Sequence, residues 1–118
     1  MTHLSLELCQ QLKAAGFPQD DSDYFRFADD TLMVARESGK RYPRGPHQLA
    51  CPNSDELIAA IQAEWPDDLI EFGYLYESPS KGWAVSCCNK HNELRQVQAE
   101  GATLTEALAN LYIALKEQ

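Results

Sequence analysis

The chain has no apolar run long enough to cross a bilayer, which takes about 20 consecutive apolar residues. Its first residues, Met-Thr-His-Leu-Ser-Leu-Glu, carry neither the basic region nor the apolar stretch of a secretory signal. A cytoplasmic protein is therefore expected. Positive charge is scarce: 10 Lys and Arg stand against 18 Asp and Glu, for a net charge of −8. Phosphate backbones are held by Lys and Arg, so general nucleic-acid binding is not expected. Glycine and proline number only 6 each, and no low-complexity tract argues for disorder. There is no phosphate-binding glycine loop, dinucleotide glycine motif, G-x-S-x-G elbow or H-E-x-x-H helix. The familiar signatures of nucleotide, hydrolase and metalloprotease chemistry are thus missing, and no cofactor is expected.

What remains describes one α+β domain over residues 1–118, a length that suits a single core. Residues 5–15 have helical spacing, with Leu8, Cys9, Leu12 and Ala15 on one face; Gly16 and Pro18 stop the helix. Residues 24–28 and 31–36 alternate as strands around an Asp29-Asp30 turn and predict a hairpin. Residues 37–45 read as a Gly/Pro loop, and 47–51 as a short third strand. A second helix follows, with Ser54 as its expected N-cap, Leu57, Ile58, Ile61 and Trp65 as its apolar stripe, and Pro66 as its stop. Residues 69–76, 82–88 and 94–99 read as three strands. In the first, Ile70, Phe72, Tyr74 and Tyr76 share a face; in the second, Trp83, Val85 and Cys87 do.

The clearest element is the last. Gly101 frees the backbone to turn, Thr103 caps, and Glu106 is placed to bond back to the Thr103 amide as a capping box. Leu104, Leu108, Leu111, Tyr112 and Leu115 then recur at helical spacing. The expected order is α-β-β-(β)-α-β-β-β-α. Short turns between the strands require antiparallel pairing, with helices packed on the sheet.

Gly101, Thr103, Glu106, Ala107, Leu108 and Asn110 resemble a segment of HicB-type antitoxins, where it likewise follows a β-hairpin. That resemblance implies a sheet-plus-helix domain that masks a small basic toxin. Over residues 6–19, 52–58, 83–85 and 103–115 the chain also resembles small uncharacterised proteins of phages and prophages. The second resemblance implies an origin and a fold but no activity.

Candidate chemistry is dispersed. Four cysteines, Cys9, Cys51, Cys87 and Cys88, are expected to be free thiols, with Cys9 in the core. His47, Cys51, Cys88 and His91 are the residue types zinc favours, but paired C-x-x-C knuckles are lacking. Cys88 with His91 is the arrangement an enzyme with a cysteine nucleophile would use, if the fold brought them together. Asp20, Asp21, Asp23, Asp29, Asp30, Asp67, Asp68 and Glu71 could converge on a divalent cation, yet they fall at turns and element ends, where Asp bonds its own backbone. One segment opposes the net charge: Arg36, Lys40, Arg41 and Arg44, with Tyr42 among them, suit contact with phosphate or with an acidic protein. The combined expectation is a non-enzymatic, phage-derived accessory or protein-interaction domain. A homodimer through sheet edges or an aromatic face is a further possibility, and no membrane partner is expected.

Overall fold

The computed structural model describes residues 3–19, 22–27, 31–34, 36–37, 40–41, 49–75, 82–89 and 96–117. Helix α1, Leu6–Ala14, begins where the Ser5 side chain accepts a bond from the Leu8 amide. It ends in a Schellman turn. The Phe17 amide reaches Leu12 O at 2.9 Å, the Gly16 amide reaches Lys13 O at 3.0 Å, and Gly16 takes the left-handed conformation, φ 94°. Cys9 and Leu12 face inward, together with Leu4.

Strands β1, Tyr24–Arg26, and β2, Leu32–Val34, form the expected antiparallel hairpin. The expected single strand 31–36 is divided: β3, Arg36–Glu37, leaves β2 and pairs instead with β4, Lys40–Arg41. Part of the expected loop 37–45 is therefore a short two-stranded ladder. Strand β5, Leu49–Ala50, lies on the other side of β1, giving the order β2-β1-β5. The Gln19 side chain accepts from the Ala50 amide at 2.9 Å and so occupies part of the outer edge of β5.

Helix α2, Ser54–Glu64, corrects one expectation. Its N-cap is Asn53, not Ser54: the Asn53 side chain accepts from the Glu56 amide, and Glu56 accepts from the Asn53 amide. Glu56 also accepts from the Asp23 amide at 3.0 Å, so this capping box holds the start of β1 as well. Ser54 is thereby free for another bond, 2.7 Å from Thr105. Trp65 is the C-cap and Pro66 lies just beyond it.

Strands β6, Asp68–Leu75, β7, Gly82–Asn89, and β8, Gln96–Gly101, form an antiparallel meander in sequence order. Helix α3, Leu104–Lys116, folds back across β7 and β8 and touches α1 and α2. Thr103 caps it as expected, but Glu106 reaches one residue further than a capping box, to the Ala102 amide at 3.1 Å. The turn is tight enough to require glycine. A Cβ on Gly101 would stand 2.5 Å from the Ala107 nitrogen, and one on Gly82 would stand 2.5 Å from Gly101 O.

Ser54 meets Thr105 at the start of α2 and α3, and Glu64 meets Lys116 at their ends, so the two helices run parallel and are tied at both ends. One core joins the three helices and the two three-stranded sheets. Leu57 and Ile61 of α2, Leu108, Leu111, Tyr112 and Leu115 of α3, Val85, Cys87 and Val97 of the meander, and Phe25 and Ala50 of the first sheet are all buried. Tyr112 stands edge-on to Phe17 at 5.2 Å and to Trp65 at 5.8 Å, with the Lys116 ammonium 5.6 Å from its ring. Burial, and then the nearby Glu64 carboxylate, push the Tyr112 hydroxyl well above its ordinary ionisation range.

Candidate functional site

The feature that the core does not absorb is strand β6. Its register places Ile70 opposite Cys87 and Phe72 opposite Val85, so these residues belong to the helix-facing side of the sheet. Val85 and Cys87 are fully covered there. One strand further out cover is lost: Ile70 is half-buried and Phe72 is 50% exposed. The cause is the position of α3, which lies over β7 and β8 while β6 has β7 as its main neighbour. On the opposite face Leu69 is 51% exposed, beside Cys88 of β7. Among the described residues Leu69 and Phe72 are the exposed large hydrophobic side chains, and both belong to this strand.

β6 is also an edge. It is terminal in the order β6-β7-β8, so among the described residues no strand takes up the backbone donors and acceptors on its outer side. Natural edges are usually blunted by charged side chains, Lys above all, by Pro, by a bulge or by a covering helix or loop. The eight residues of β6 contain no Lys or Pro, and they pair with β7 residue for residue without a bulge. The strand and its approach are instead acidic, with Asp67, Asp68 and Glu71 and no basic residue. Asp68 is buried and accepts from the Asn89 side chain at 2.9 Å, while Glu71 is exposed.

The other candidates are spread over the molecule. Arg36 and Arg41 are register partners in the β3–β4 ladder, as are Glu37 and Lys40. Tyr42, Arg44, His47 and His91 lie outside the described residues, as do Asp20, Asp21, Asp29 and Asp30. Cys51 is buried beneath α1, whereas Cys88 is half-buried on the outer face of β7, where its thiol is 4.0 Å from Asn89 O. Among the described residues no group of three or more His, Cys, Asp or Glu side chains gathers as a metal site. No described helix is long and apolar enough to cross a membrane.

Cys51 also has a strongly altered environment. Its thiol donates to Leu4 O at 3.6 Å, and a bond to the Cys9 side chain acts on its ionisation. The Cys9 bond lowers its pKa most, burial opposes this, and the Arg26 charge adds to the lowering; together they bring it from the ordinary 9.0 to about 7. Arg26 is held in place by donating through Nε to the same Leu4 oxygen at 2.6 Å.

Compared with known proteins, the chain matches no family model, no curated protein and no solved structure.

Neither the β6 edge nor the Cys9–Cys51 pair stands out when residues are read singly. The signal for β6 was a strand apolar on both faces: Leu69 and Leu75 on one, Ile70, Phe72 and Tyr74 on the other. The cysteine pair left no signal, because Cys9 and Cys51 are distant in sequence and meet only through the packing of α1 on β5.

Proposed function

We propose that this protein is a non-enzymatic interaction domain that binds a basic protein by accepting one of its strands along the outer edge of β6. The observation that carries this reading is the coincidence, on one strand, of an open edge among the described residues, two half-exposed apolar side chains and an acidic flank. Strand addition draws its affinity from backbone bonds at such an edge and its selectivity from the side chains on either face. Phe72 and Leu69 supply one apolar contact above and one below the incoming strand. The charge selects the partner. A second copy of this chain would bring Asp68 and Glu71 against their own equivalents in a protein already at −8, and like charges on neighbouring strands oppose pairing. A strand rich in Lys or Arg removes that repulsion and is steered toward the acidic surface.

A small basic toxin is the particular partner that the HicB-like C-terminal segment suggests. In the fold, the polar residues of that segment serve the turn and the helix start. Thr103 caps α3, Glu106 holds the Ala102 amide, and Asn110 donates to Glu100 O at 2.9 Å. The partner class therefore rests on β6 and not on the segment.

The test is affinity capture from the native host with wild-type protein and with Phe72→Lys, followed by amide exchange on the reconstituted complex. The expected result is a stoichiometric basic protein that protects the β6 amides and is lost with Phe72→Lys. Protection elsewhere, capture that ignores Phe72→Lys, or protection of β6 by self-association alone would refute it. Recovery of nucleic acid that is lost on neutralising Arg41 and Arg44 would transfer the function to the basic segment.

A further inference from the structure

Strand β6 offers an incoming strand two unlike faces. On the helix-facing side stand Ile70, half-buried, and Phe72, exposed. On the other side stand Leu69, Glu71 and Gly73, all exposed. Across the sheet from Glu71 come Ser86 and then Gln98, neither of them a cation. Across from Gly73 comes Ala84, so that face is low at this point: a Cβ on Gly73 would meet nothing closer than Ala84 O at 4.0 Å. Glycine in a strand leaves its ladder without side-chain packing, and an aromatic ring on the neighbouring strand restores it by lying across the gap. Residues directly opposed on antiparallel strands share a face, where opposite charges and aromatic contacts stabilise the pairing.

We infer, on the strand-addition reading above, that the β6 edge selects its partner by a short alternating code: an aromatic residue, an apolar residue, an Arg or Lys, and a second apolar residue, in that order. The strand enters antiparallel, the stronger arrangement and the one found in every described ladder of the molecule. Its aromatic ring lies opposite Gly73 and reaches over Ala84. Its basic residue stands opposite Glu71. Its two apolar residues oppose Phe72 and Ile70 and extend the apolar side of the sheet. Positive charge alone does not meet this requirement, because the aromatic and basic residues must be two apart to share a face.

The experiment titrates the whole protein with three synthetic peptides, each flanked by threonines, and locates them by amide exchange. One carries Tyr-Val-Arg-Val. The second, Tyr-Arg-Val-Val, has the same composition but puts tyrosine and arginine on opposite faces in any register. The third, Tyr-Val-Glu-Val, reverses the charge. The first is expected to bind tightest and to protect the β6 amides, with the second about tenfold weaker. Glu71→Lys is expected to reverse the preference between the first and third peptides, by roughly threefold in each direction. Glu71→Gln should abolish that preference without reversing it. The code is overturned if the first two peptides protect β6 with equal affinity, or if Glu71→Lys still prefers arginine; strand addition at β6 survives either result. If none of the three protects the β6 amides, the strand-addition reading falls and the code with it.

Discussion

Asn89 stands directly opposite Asp68 across the β6–β7 ladder and donates its side-chain amide to the Asp68 carboxylate at 2.9 Å. Asp68 is the first residue of β6 and Asn89 the last of β7, so this bond closes the end of the pair and fixes its register. A one-residue slip would exchange Leu69 with Ile70 and Phe72 with Gly73 between faces, reversing which apolar groups the edge presents. Replacing Asp68 by Ala leaves a buried end of the ladder short of an acceptor. We expect a loss of about 1–3 kcal/mol in denaturant unfolding, and a smaller loss for Asp68→Asn, which keeps an oxygen. Equal effects of the two changes would mean that the oxygen is not what holds the register.

Gly101 is a second fixed point, of steric origin. Its missing Cβ is what lets β8 turn into α3, since the contacts it would make, 2.5 Å to the Ala107 nitrogen and 2.8 Å to the Glu106 carbonyl carbon, are with backbone that cannot swing away. Gly101→Ala is expected to cost about 1–3 kcal/mol, in the range of overpacked sites. Gly73→Ala, whose Cβ would meet nothing closer than 4.0 Å, is expected to cost little. A Gly101→Ala protein as stable as wild type would show that the turn has room to open.

At the start of α2 the identity of the cap has a measurable consequence. Asn53→Ala removes the acceptor for the Glu56 amide and should cost about 1 kcal/mol. It also unties Glu56, which holds the Asp23 amide, so amide exchange at residue 23 should quicken in the same variant. Ser54→Ala should leave residue 23 unchanged, because Ser54 bonds Thr105. Quickened exchange in Ser54→Ala and not in Asn53→Ala would restore Ser54 as the cap.

These cases show what local sequence could and could not convey. The α3 stripe was legible because helical spacing, an N-cap and a glycine turn all act within a few residues, and Leu108, Leu111, Tyr112 and Leu115 are buried as that spacing requires. The strands of the meander were legible from alternation, with Val85 and Cys87 covered on the expected side. The cap of α2 lies one residue before the one its sequence suggests, because Asn53 and Ser54 are both good caps and the deciding bonds involve Glu56 and Thr105. The division of the strands between separate sheets was not legible, since it depends on where the chain leaves β2 for the β3–β4 ladder. The exposure of Phe72 was hidden for a like reason: alternation assigned its face correctly, but only the position of α3 determines whether that face is covered.

That distinction gives a contrast between two register partners. Val85 and Phe72 face each other across β7 and β6, but Val85 is 1% exposed and Phe72 is 50% exposed. Truncating buried aliphatic groups removes transfer energy and leaves a cavity, so Val85→Ala should cost about 2 kcal/mol or more. Phe72→Ala should cost about 1 kcal/mol or less, because half of the ring is already in water. If binding at the β6 edge is the role of this strand, Phe72→Ala should weaken partner capture more than it weakens folding. The reverse pattern would make Phe72 a core residue and leave the edge without its apolar contact.

The Cys51 thiol makes stability depend on pH in a direction that can be worked out. Its folded pKa of about 7 lies below the ordinary 9.0 that the unfolded chain would show. Between those values the folded state carries the thiolate while the unfolded state holds the proton, so folding releases a proton and stability rises with pH. The contribution is fully present above pH 9.0 and is lost as pH falls through about 7. Unfolding of wild-type protein and of Cys51→Ser across this window should therefore diverge, with the wild type gaining stability relative to the variant as pH rises. Arg26→Gln removes one of the groups that favour the thiolate and should move the wild-type thiol titration, followed by ultraviolet absorbance or alkylation rate, upward toward 9.0. Cys9→Ala removes the largest single cause of the lowering and should likewise move it upward. A titration that stays near 7 in both variants would show that neither the neighbouring thiol nor the guanidinium sets the ionisation of Cys51.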